Sequence, residues 1–339
     1  MVNNALEWLI NEGCPSIVYR ARKEIRQENI TDAEYANYQK MILEEEKVQR
    51  ILSWQEEDGY FGTRLHTAPS RSKIWTHEGC VRYLLEMGLD NECVKKSLDV
   101  MLKPGWGKEC ENSRAASVFK YELIRASLFA QAGIQDDEVV NIWVDDAVQA
   151  FRCVAEAEDI SELVYEGKNN KLIFKENIFV PVIYHLRILA FTDFWRTEEN
   201  IKMISIAYEK LYKWLPLPPM YHDSKSHPVA PLGNVCWQVN QNYTEEQGFV
   251  WLHFYEMSAR MGMLGEKSPF RKHFENLKTQ VINNEDVLVE CTKKKNGAFV
   301  GWSGYSGISL ERDGRKQQER MRDFVFRVLL IESFLMSEL

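Results

Sequence analysis

The sequence lacks any hydrophobic run long enough to cross a bilayer. Its apolar runs, such as Phe179–Ile183 and Val328–Ile331, are short, whereas a membrane-spanning helix needs about 20 apolar residues. The first residues, Met-Val-Asn-Asn-Ala-Leu-Glu, contain neither the basic stretch nor the apolar core of an export signal. We therefore expect a soluble protein with no membrane partner, located in the cytoplasm.

An excess of positive charge is also missing. The 339 residues include 42 Lys and Arg against 50 Asp and Glu, which gives a net charge of −8. A nucleic-acid-binding surface needs surplus Lys and Arg to displace counterions from phosphates, so this balance argues against nucleic acid as a partner. The seven cysteines show no Cys-x-x-Cys spacing, so we expect reduced thiols and no zinc site.

The motifs of several common enzyme classes are absent as well. The sequence contains no GxxxxGKS or GxxxxGKT phosphate loop, no GxGxxG dinucleotide fingerprint, no HExxH zinc motif and no GxSxG nucleophile elbow. These absences argue against P-loop phosphoryl transfer, nicotinamide chemistry on a Rossmann unit, zinc-dependent proteolysis and α/β-hydrolase chemistry. We expect no cofactor and no bound metal.

Helical segments of two kinds alternate along the chain. One kind is rich in apolar and aromatic residues and covers roughly residues 75–87, 114–132, 178–193, 246–263 and 319–337. The other kind is more charged and covers roughly residues 90–103, 136–158, 197–214 and 268–284. A helix that is apolar on most sides belongs in an interior, and a helix with one apolar stripe belongs outside it. The alternation predicts an all-α fold of about twelve helices.

Three stretches interrupt the helical pattern. Residues 163–174 and 287–300 are predicted to form β-hairpins around Asn169-Asn170 and Asn296-Gly297. Residues 215–245 are rich in proline and glycine and are predicted to form a long ordered loop.

No break in composition marks a domain boundary. We therefore predict one domain over residues 1–339, in which N-terminal helices (1–55) are followed by repeated helix pairs (56–339).

The segment Trp54–Gly62 carries a glutamine, an Asp-Gly turn and two aromatic residues just before an interior-type helix. This pattern resembles the repeat of the terpenoid cyclase and protein prenyltransferase superfamily, and Pro104–Gly107 and Asn296–Phe299 repeat it in part. The opening Glu7-Trp8-Leu9 and Pro15–Tyr19 is similar to bacterial members of that superfamily without an assigned reaction. The resemblance implies an α/α toroid, in which an inner ring of helices is surrounded by an outer ring.

The catalytic motifs of that superfamily are not found in this chain. There is no Asp-x-Asp-Asp acid of the class II terpene cyclases, and no segment matches the zinc ligands of the protein prenyltransferases. Asp136-Asp137 and Asp145-Asp146 are bare pairs, which we interpret as carboxylates near helix starts. The known reactions of the fold are therefore not carried over to this chain.

Polar and charged residues recur on the interior-type segments, where an isolated charge is expensive. We predict acid–base roles for His77, His185, His253, Glu256 and Asp323. We predict substrate binding by Arg82, Glu122, Arg125, Arg187, Arg260, Trp302 and Tyr305. His253, Glu256 and Arg260 share one helix face through spacings of three and four. The alternative for each is a hydrogen-bonded or ion-paired structural residue.

Two functions stay open at the level of sequence. An enzyme would use His and Glu as acid and base in a central cavity, with Arg residues holding an isoprenoid diphosphate, a saccharide or another small polar molecule. A non-catalytic ligand-binding or scaffold protein of the same fold would explain the missing catalytic motifs. The predicted partner is a small-molecule ligand, and the oligomeric state stays open.

Overall fold

The computed structural model describes residues 2–62, 65, 76–90, 92–103, 106, 120–135, 137–176, 178, 180–215, 217, 220–221, 248–292, 309–311 and 316–336. In these residues the chain is mostly helical and has one small sheet, which confirms the prediction of an all-α protein with minor β structure.

Fourteen α-helices lie in the described residues. Their bounds are α1 Val2–Glu12, α2 Pro15–Arg20, α3 Asp32–Leu43, α4 Glu46–Leu52, α5 His77–Glu86, α6 Glu92–Asp99, α7 Tyr121–Gln131, α8 Glu138–Glu156, α9 Ile183–Ala190, α10 Glu198–Lys213, α11 Gly248–Arg260, α12 Pro269–Asn283, α13 Glu285–Cys291 and α14 Gln317–Met336. The α2 helix continues as a π-helical turn, Ala21–Ile25. The count exceeds the predicted twelve, in part because Glu285–Cys291 is helical within a range predicted to be a hairpin.

Short polar side chains and glycines fix where the helices begin and end. Thr31 accepts a hydrogen bond from the Glu34 N–H while the Glu34 carboxylate accepts one from the Thr31 N–H, so both groups are satisfied at the start of α3. Gly88, Gly133 and Gly262 have positive φ values of 85°, 80° and 75°. They stop α5, α7 and α11 in the left-handed conformation that glycine adopts without strain.

The burial of the helices follows the predicted alternation. Nine of the ten residues of α5 and all eight of α9 are buried, whereas only seven of the nineteen residues of α8 are. The buried residues of α8 and α10 lie on one side of each helix, because their apolar side chains recur at helical spacing.

The predicted hairpin at 163–174 is confirmed. Strand β1 (Val164–Glu166) pairs antiparallel with β2 (Leu172–Phe174), and a third strand, β3 (Met220–Tyr221), pairs parallel with β2. Asn169 and Asn170 have φ values of 61° and 56°, which asparagine tolerates better than most residues. The β3 strand lies in the stretch 215–245, where only a loop is expected from the sequence.

The second predicted hairpin, at 287–300, is wrong in its first part. Residues up to Cys291 belong to helix α13, and residues 293–300 lie outside the described residues. The alternation of Val287 and Val289 favours a strand, but Asn284 accepts hydrogen bonds from the N–H groups of Asp286 and Val287 and so caps a helix. The acidic residues of the first turn add to this preference.

The chain divides into two compact units. Unit 1 comprises Met1–Ala115, Asn242–Glu256 and Glu275–Leu339, and unit 2 comprises Ala116–Gln241 and Met257–Phe274. The single domain expected over residues 1–339 stays a prediction.

Each unit has its own packed interior. In unit 1, α14 packs against α1 and the π-helical turn, and α5 packs against α6. In unit 2, α8 packs against α9 and α10, with the rings of Phe151 and Tyr208 stacked 5.9 Å apart. The Tyr208 hydroxyl lies 2.8 Å from the Ser258 hydroxyl, so its polar end is satisfied inside this core.

The turn over Trp54–Gly62 is anchored to α6 by the side chain of Gln55 and by the close approach of Gly59. The amide of Gln55 donates to the Cys93 carbonyl oxygen at 2.8 Å and to the Ser97 hydroxyl at 2.7 Å. Gly59 has a φ of 99° and lies directly against Lys96, where a Cβ would overlap the carbonyl oxygen and sit 2.8 Å from the carbonyl carbon. The residues that carry the family resemblance therefore serve to join a turn to a helix.

We expect Gly59→Ala to lower the free energy of unfolding by about 2–4 kcal/mol, because the left-handed backbone and the overlap with Lys96 both oppose a side chain. Gly133→Ala is the matched control, since Gly133 has a φ of 80° but no atom within 4 Å of the added Cβ. It is expected to cost only about 1–2 kcal/mol. Urea unfolding of both variants measures the difference, and equal losses would show that the Lys96 contact is unimportant.

Candidate functional site

A concentration of buried charge lies in the interior of unit 1. We call it the ion cluster, and its members are Arg20 of α2, Arg82 and Glu86 of α5, Glu256 of α11 and Arg327 of α14. Each of these residues is at most 6% exposed. Two of them, Arg82 and Glu256, are among the site residues predicted from the sequence.

Arg327 joins two carboxylates at the centre of the ion cluster. Its Nη1 donates to Glu256 Oε2 at 2.8 Å and its Nη2 donates to Glu86 Oε2 at 2.7 Å. Burial alone would lower the pKa of Arg327, but Glu86 and Glu256 raise it above its usual value. Charge-assisted hydrogen bonds of this length are about twice as strong as neutral ones. The three side chains therefore connect α5, α11 and α14 at this point.

Glu86 receives two further guanidinium groups. Arg82, one turn earlier on α5, places Nη2 3.5 Å from Glu86 Oε1, and Arg20 places Nη1 3.7 Å from Glu86 Oε2. Burial would raise the pKa of Glu86, but the positive charges of Arg327, Arg82 and Arg20 lower it below its usual range. The carboxylate is therefore ionised although it is buried.

The π-helical turn after α2 positions Arg20. The Arg26 N–H bonds to the Ala21 carbonyl oxygen, which closes the wider turn. Arg20 donates from Nε and Nη2 to the two carboxylate oxygens of Glu24 at 2.5 and 3.0 Å, and from Nη1 to the Glu86 carbonyl oxygen at 3.0 Å. Such turns occur often at functional sites, and here it directs a two-point ion pair toward the ion cluster.

His253 lies beside the ion cluster on α11. It is 1% exposed, and it lies close enough to Glu86 that a proton on its ring would lower the pKa of that carboxyl. Because Glu256 is three residues later on the same helix, the imidazole and the carboxylate lie on one helix face, as the sequence predicts.

The charges of this region balance. With Glu24 included, three guanidinium groups face three carboxylates among the residues that the structure describes. A single unpaired charge in this interior would carry a large desolvation cost. In a paired set, the attraction between opposite charges offsets part of that cost. The arrangement can hold a proton-transfer group in a fixed orientation, and it can equally act as a polar core.

His77, predicted to be catalytic, has another position in unit 1. Its Nδ1 accepts a hydrogen bond from the Phe61 N–H at 3.0 Å, and its Nε2 lies 3.2 Å from the Ser97 carbonyl oxygen. Its ring is stacked on Tyr60 with 4.3 Å between centroids. Since Nδ1 accepts, the proton resides on Nε2 and points at Ser97. In this arrangement the ring fastens the turn to two helices, and its role in catalysis stays a prediction.

Asp323 is likewise held by its own segment. Its carboxylate accepts hydrogen bonds from the Ser309 hydroxyl, from the Leu310 N–H at 2.7 Å and from the Glu311 N–H at 3.3 Å. The neighbouring Arg322 donates to Glu311 at 2.5 Å. Asp323 thus anchors residues 309–311 to α14, and its predicted acid–base role stays a prediction.

Asp323 and His77 give stability two opposing dependences on pH. Burial raises the pKa of the Asp323 carboxyl from 3.8 to about 6, so between these values the folded state keeps a proton that the unfolded state has lost. The contribution of Asp323 to the free energy of unfolding therefore falls as the pH rises from about 4 to about 6. Burial lowers the pKa of His77 from 6.5 to about 4. The contribution of His77 to the free energy of unfolding is therefore fully present above pH 6.5 and is lost as the pH falls toward 4.

We expect Asp323→Asn to gain stability relative to the wild type as the pH rises from about 4 to about 7, and His77→Gln to gain it as the pH falls over the same range. Each change is on the order of 2 kcal/mol. Urea unfolding of the three proteins across this pH range measures both differences. A difference that stays constant with pH, or changes in the opposite direction, contradicts the assignment for that residue.

Several predicted residues lie in unit 2. The Nδ1 of His185 accepts a hydrogen bond from the Val182 N–H at 3.2 Å, and its Nε2 lies 3.0 Å from Asp146 Oδ2. Arg187, 2% exposed, lies over the ring of Tyr184 at 5.4 Å. His185 and Arg187 are therefore buried on α9, as expected for an interior helix.

The remaining predicted residues either have intermediate exposure in unit 2 or lie outside the described ranges. Glu122 and Arg125 are half-buried on α7. The guanidinium of Arg260 lies 4.7 Å from the centre of the Phe191 ring. Trp302 and Tyr305 lie outside the described residues. The common cavity expected for the site residues stays a prediction.

Arg20, Glu86 and Arg327 are not among the residues predicted to form the site. A signal for them exists, since each is a charge within an apolar stretch, as in Leu84-Leu85-Glu86-Met87 and Phe326-Arg327-Val328. Such a charge is either exposed or paired inside the protein. The choice of partner depends on chain segments far apart in the sequence.

Among the described side chains, no group of three or more His, Cys, Asp or Glu residues is arranged to hold a metal ion. Within the same ranges, every helix is too short or too polar to traverse a bilayer. The five described cysteines, Cys14, Cys80, Cys93, Cys153 and Cys291, are free thiols. The chain matches no protein-family model, no curated protein and no solved structure.

Proposed function

We propose that this protein is an enzyme that acts on a small polar or anionic substrate by acid–base chemistry of His253 and Glu256. The observation that carries the proposal is the ion cluster, which gathers ionised side chains next to His253 in the interior of unit 1. Buried charges are costly and cluster at functional sites more often than elsewhere.

In the proposed reaction His253 is the general base. A carboxylate on the same helix face can orient the imidazole and stabilise its protonated form. Arg327 donates to Glu256 at 2.8 Å and so fixes the position of that carboxylate. The role of Glu256 is then to position the base, and that of Arg327 is to position Glu256.

The guanidinium groups favour a substrate with a negatively charged or strongly polar group. Arg82 and Arg327 are each 1% exposed, so a substrate group placed beside them would meet guanidinium charge that water screens little. An isoprenoid diphosphate or a saccharide-like molecule fits this chemistry.

We also propose that the fold is an α/α toroid of the terpenoid cyclase and protein prenyltransferase type, in the cytoplasm. Support comes from the residues of the Trp54–Gly62 turn and from the alternation of helices buried on most sides with helices buried on one side.

A second candidate function is a non-catalytic ligand-binding or scaffold protein. It is favoured by one observation, namely that both buried carboxylates of the ion cluster are already paired with Arg327. A satisfied ionic network of this kind can serve structure alone.

A panel of prenyl diphosphates, saccharides and other polar metabolites distinguishes these functions. Binding is measured by calorimetry and turnover by product analysis, for the wild type and for Glu256→Gln. An enzyme binds and converts a member of the panel, and Glu256→Gln lowers its turnover. Binding without turnover favours the non-catalytic function, and the absence of binding favours the structural role.

A further inference from the structure

The N-terminal helices of unit 1 border an open pocket of about 560 Å³. Its lining residues come from α1, α2, the π-helical turn, α3 and the connection between α1 and α2: Ile10, Asn11, Gly13, Pro15, Val18, Arg22, Glu34, Asn37, Tyr38 and Met41. None of them belongs to the ion cluster or to the residues of the proposed reaction. The volume falls within the range of about 300–1,000 Å³ that small-molecule sites occupy.

One part of the lining is apolar. Ile10, Pro15, Val18 and Met41 all contribute to it, and Met41 is 40% exposed. An unbranched methionine and small aliphatic side chains at a surface form an adaptable apolar wall. A ligand therefore gains by placing an apolar face against this wall.

The charged part of the lining is already neutralised. Arg22 donates to Glu28 at 2.6 Å, to the Tyr38 hydroxyl at 2.8 Å and to Glu34 at 3.0 Å. Arg26 donates to the other oxygen of Glu28 at 3.0 Å, so two guanidinium groups face two carboxylates here. This side of the pocket has no excess positive charge to attract an anion, and it therefore favours an uncharged ligand over an anionic one.

Asn11 and Asn37 supply the remaining polarity. Both are exposed at the pocket. The Asn37 Nδ2 donates weakly to the Met41 sulfur at 3.4 Å, and each amide carries two N–H donors and one carbonyl acceptor. A complementary ligand carries both donors and acceptors along one edge.

We propose that this pocket binds a small uncharged ligand that has an apolar face and a hydrogen-bonding edge. Nucleosides and neutral sugars share this chemistry. The pocket is separate from the proposed reaction site, so its occupancy does not depend on the proposed function.

Calorimetric titration of the full chain with adenosine and with a methyl glucoside tests the proposal. The probe that binds more tightly shows whether the pocket prefers a nucleoside or a neutral sugar. Adenosine monophosphate and glucuronate are the charged counterparts. We expect at least one uncharged probe to bind, and its charged counterpart to bind at least about tenfold more weakly.

Asn37→Trp fills the pocket from an exposed position of α3, and Ala36→Trp adds the same ring at an exposed position of α3 outside the lining. We expect Asn37→Trp to weaken binding by at least about tenfold, and Ala36→Trp to change it by less than about twofold. The proposal is overturned if neither uncharged probe binds at about 10 mM. It is also overturned if the charged counterpart binds equally well, or if the two tryptophan variants bind alike.

Discussion

Replacing Arg327 by methionine is expected to lower the free energy of unfolding by about 3–5 kcal/mol. The substitution keeps much of the apolar volume but leaves Glu86 and Glu256 without the guanidinium that lies 2.7 and 2.8 Å from their oxygens. An uncompensated carboxylate in an interior is strongly unfavourable, so the loss comes from the charges left behind more than from the bonds removed. Urea unfolding, monitored by circular dichroism, measures it.

Lys103→Met is the matched control for this prediction. Lys103 lies 3.5 Å from Asp58, and the two side chains are 54% and 50% exposed. Water screens such a pair, so its loss is expected to cost about 1 kcal/mol or less. The double variant Arg327→Met/Glu256→Gln should lose less than the sum of the single variants, because it removes the charge of one of the two carboxylates that lose the Arg327 guanidinium. Additive losses, or equal losses for Arg327→Met and Lys103→Met, contradict the prediction.

Replacing His253 by alanine is expected to lower turnover about 10²–10⁴-fold, the usual contribution of a general base. This expectation rests on the proposed function and on the position of His253, which is buried beside Glu86 and shares a helix face with Glu256. Turnover of a panel member that the wild type converts is measured together with the unfolding midpoint. A loss of rate beyond any loss of folded protein is the expected result.

Two further variants separate chemistry from stability in that experiment. His253→Gln fills more of the space left by the imidazole but cannot take up a proton near neutral pH, so it should be stable and equally inactive. His273→Ala removes another buried histidine, 8% exposed, that is outside the ion cluster, and turnover should change by less than about twofold. If His253→Gln retains wild-type turnover, or if His253→Ala loses only stability, His253 is a structural residue.

Local features of the fold follow from the sequence because their causes lie within a few residues. Asn169-Asn170 can adopt the backbone of a tight turn, and the alternating residues on either side form the hairpin. Gly88 and Gly133 end helices where a side chain would be strained. The interior or one-sided character of α5 and α8 also follows from apolar spacing. Where two local signals compete, as at Asn284 and Val287, the helix cap prevails over the strand pattern.

The ion cluster, by contrast, depends on tertiary structure. Sequence alone places Glu256 and His253 on one helix face, because they are three residues apart. It does not pair Arg327 with Glu86, which is 241 residues earlier, or Arg20 with the Glu86 carbonyl oxygen, which is 66 residues later. The sequence by itself determined that Glu86 and Arg327 stand among apolar neighbours, where a buried charge needs a partner. Only the packing of α2, α5, α11 and α14 decided their partners, because an ion pair forms between whichever opposite charges the folded backbone brings within a few ångströms.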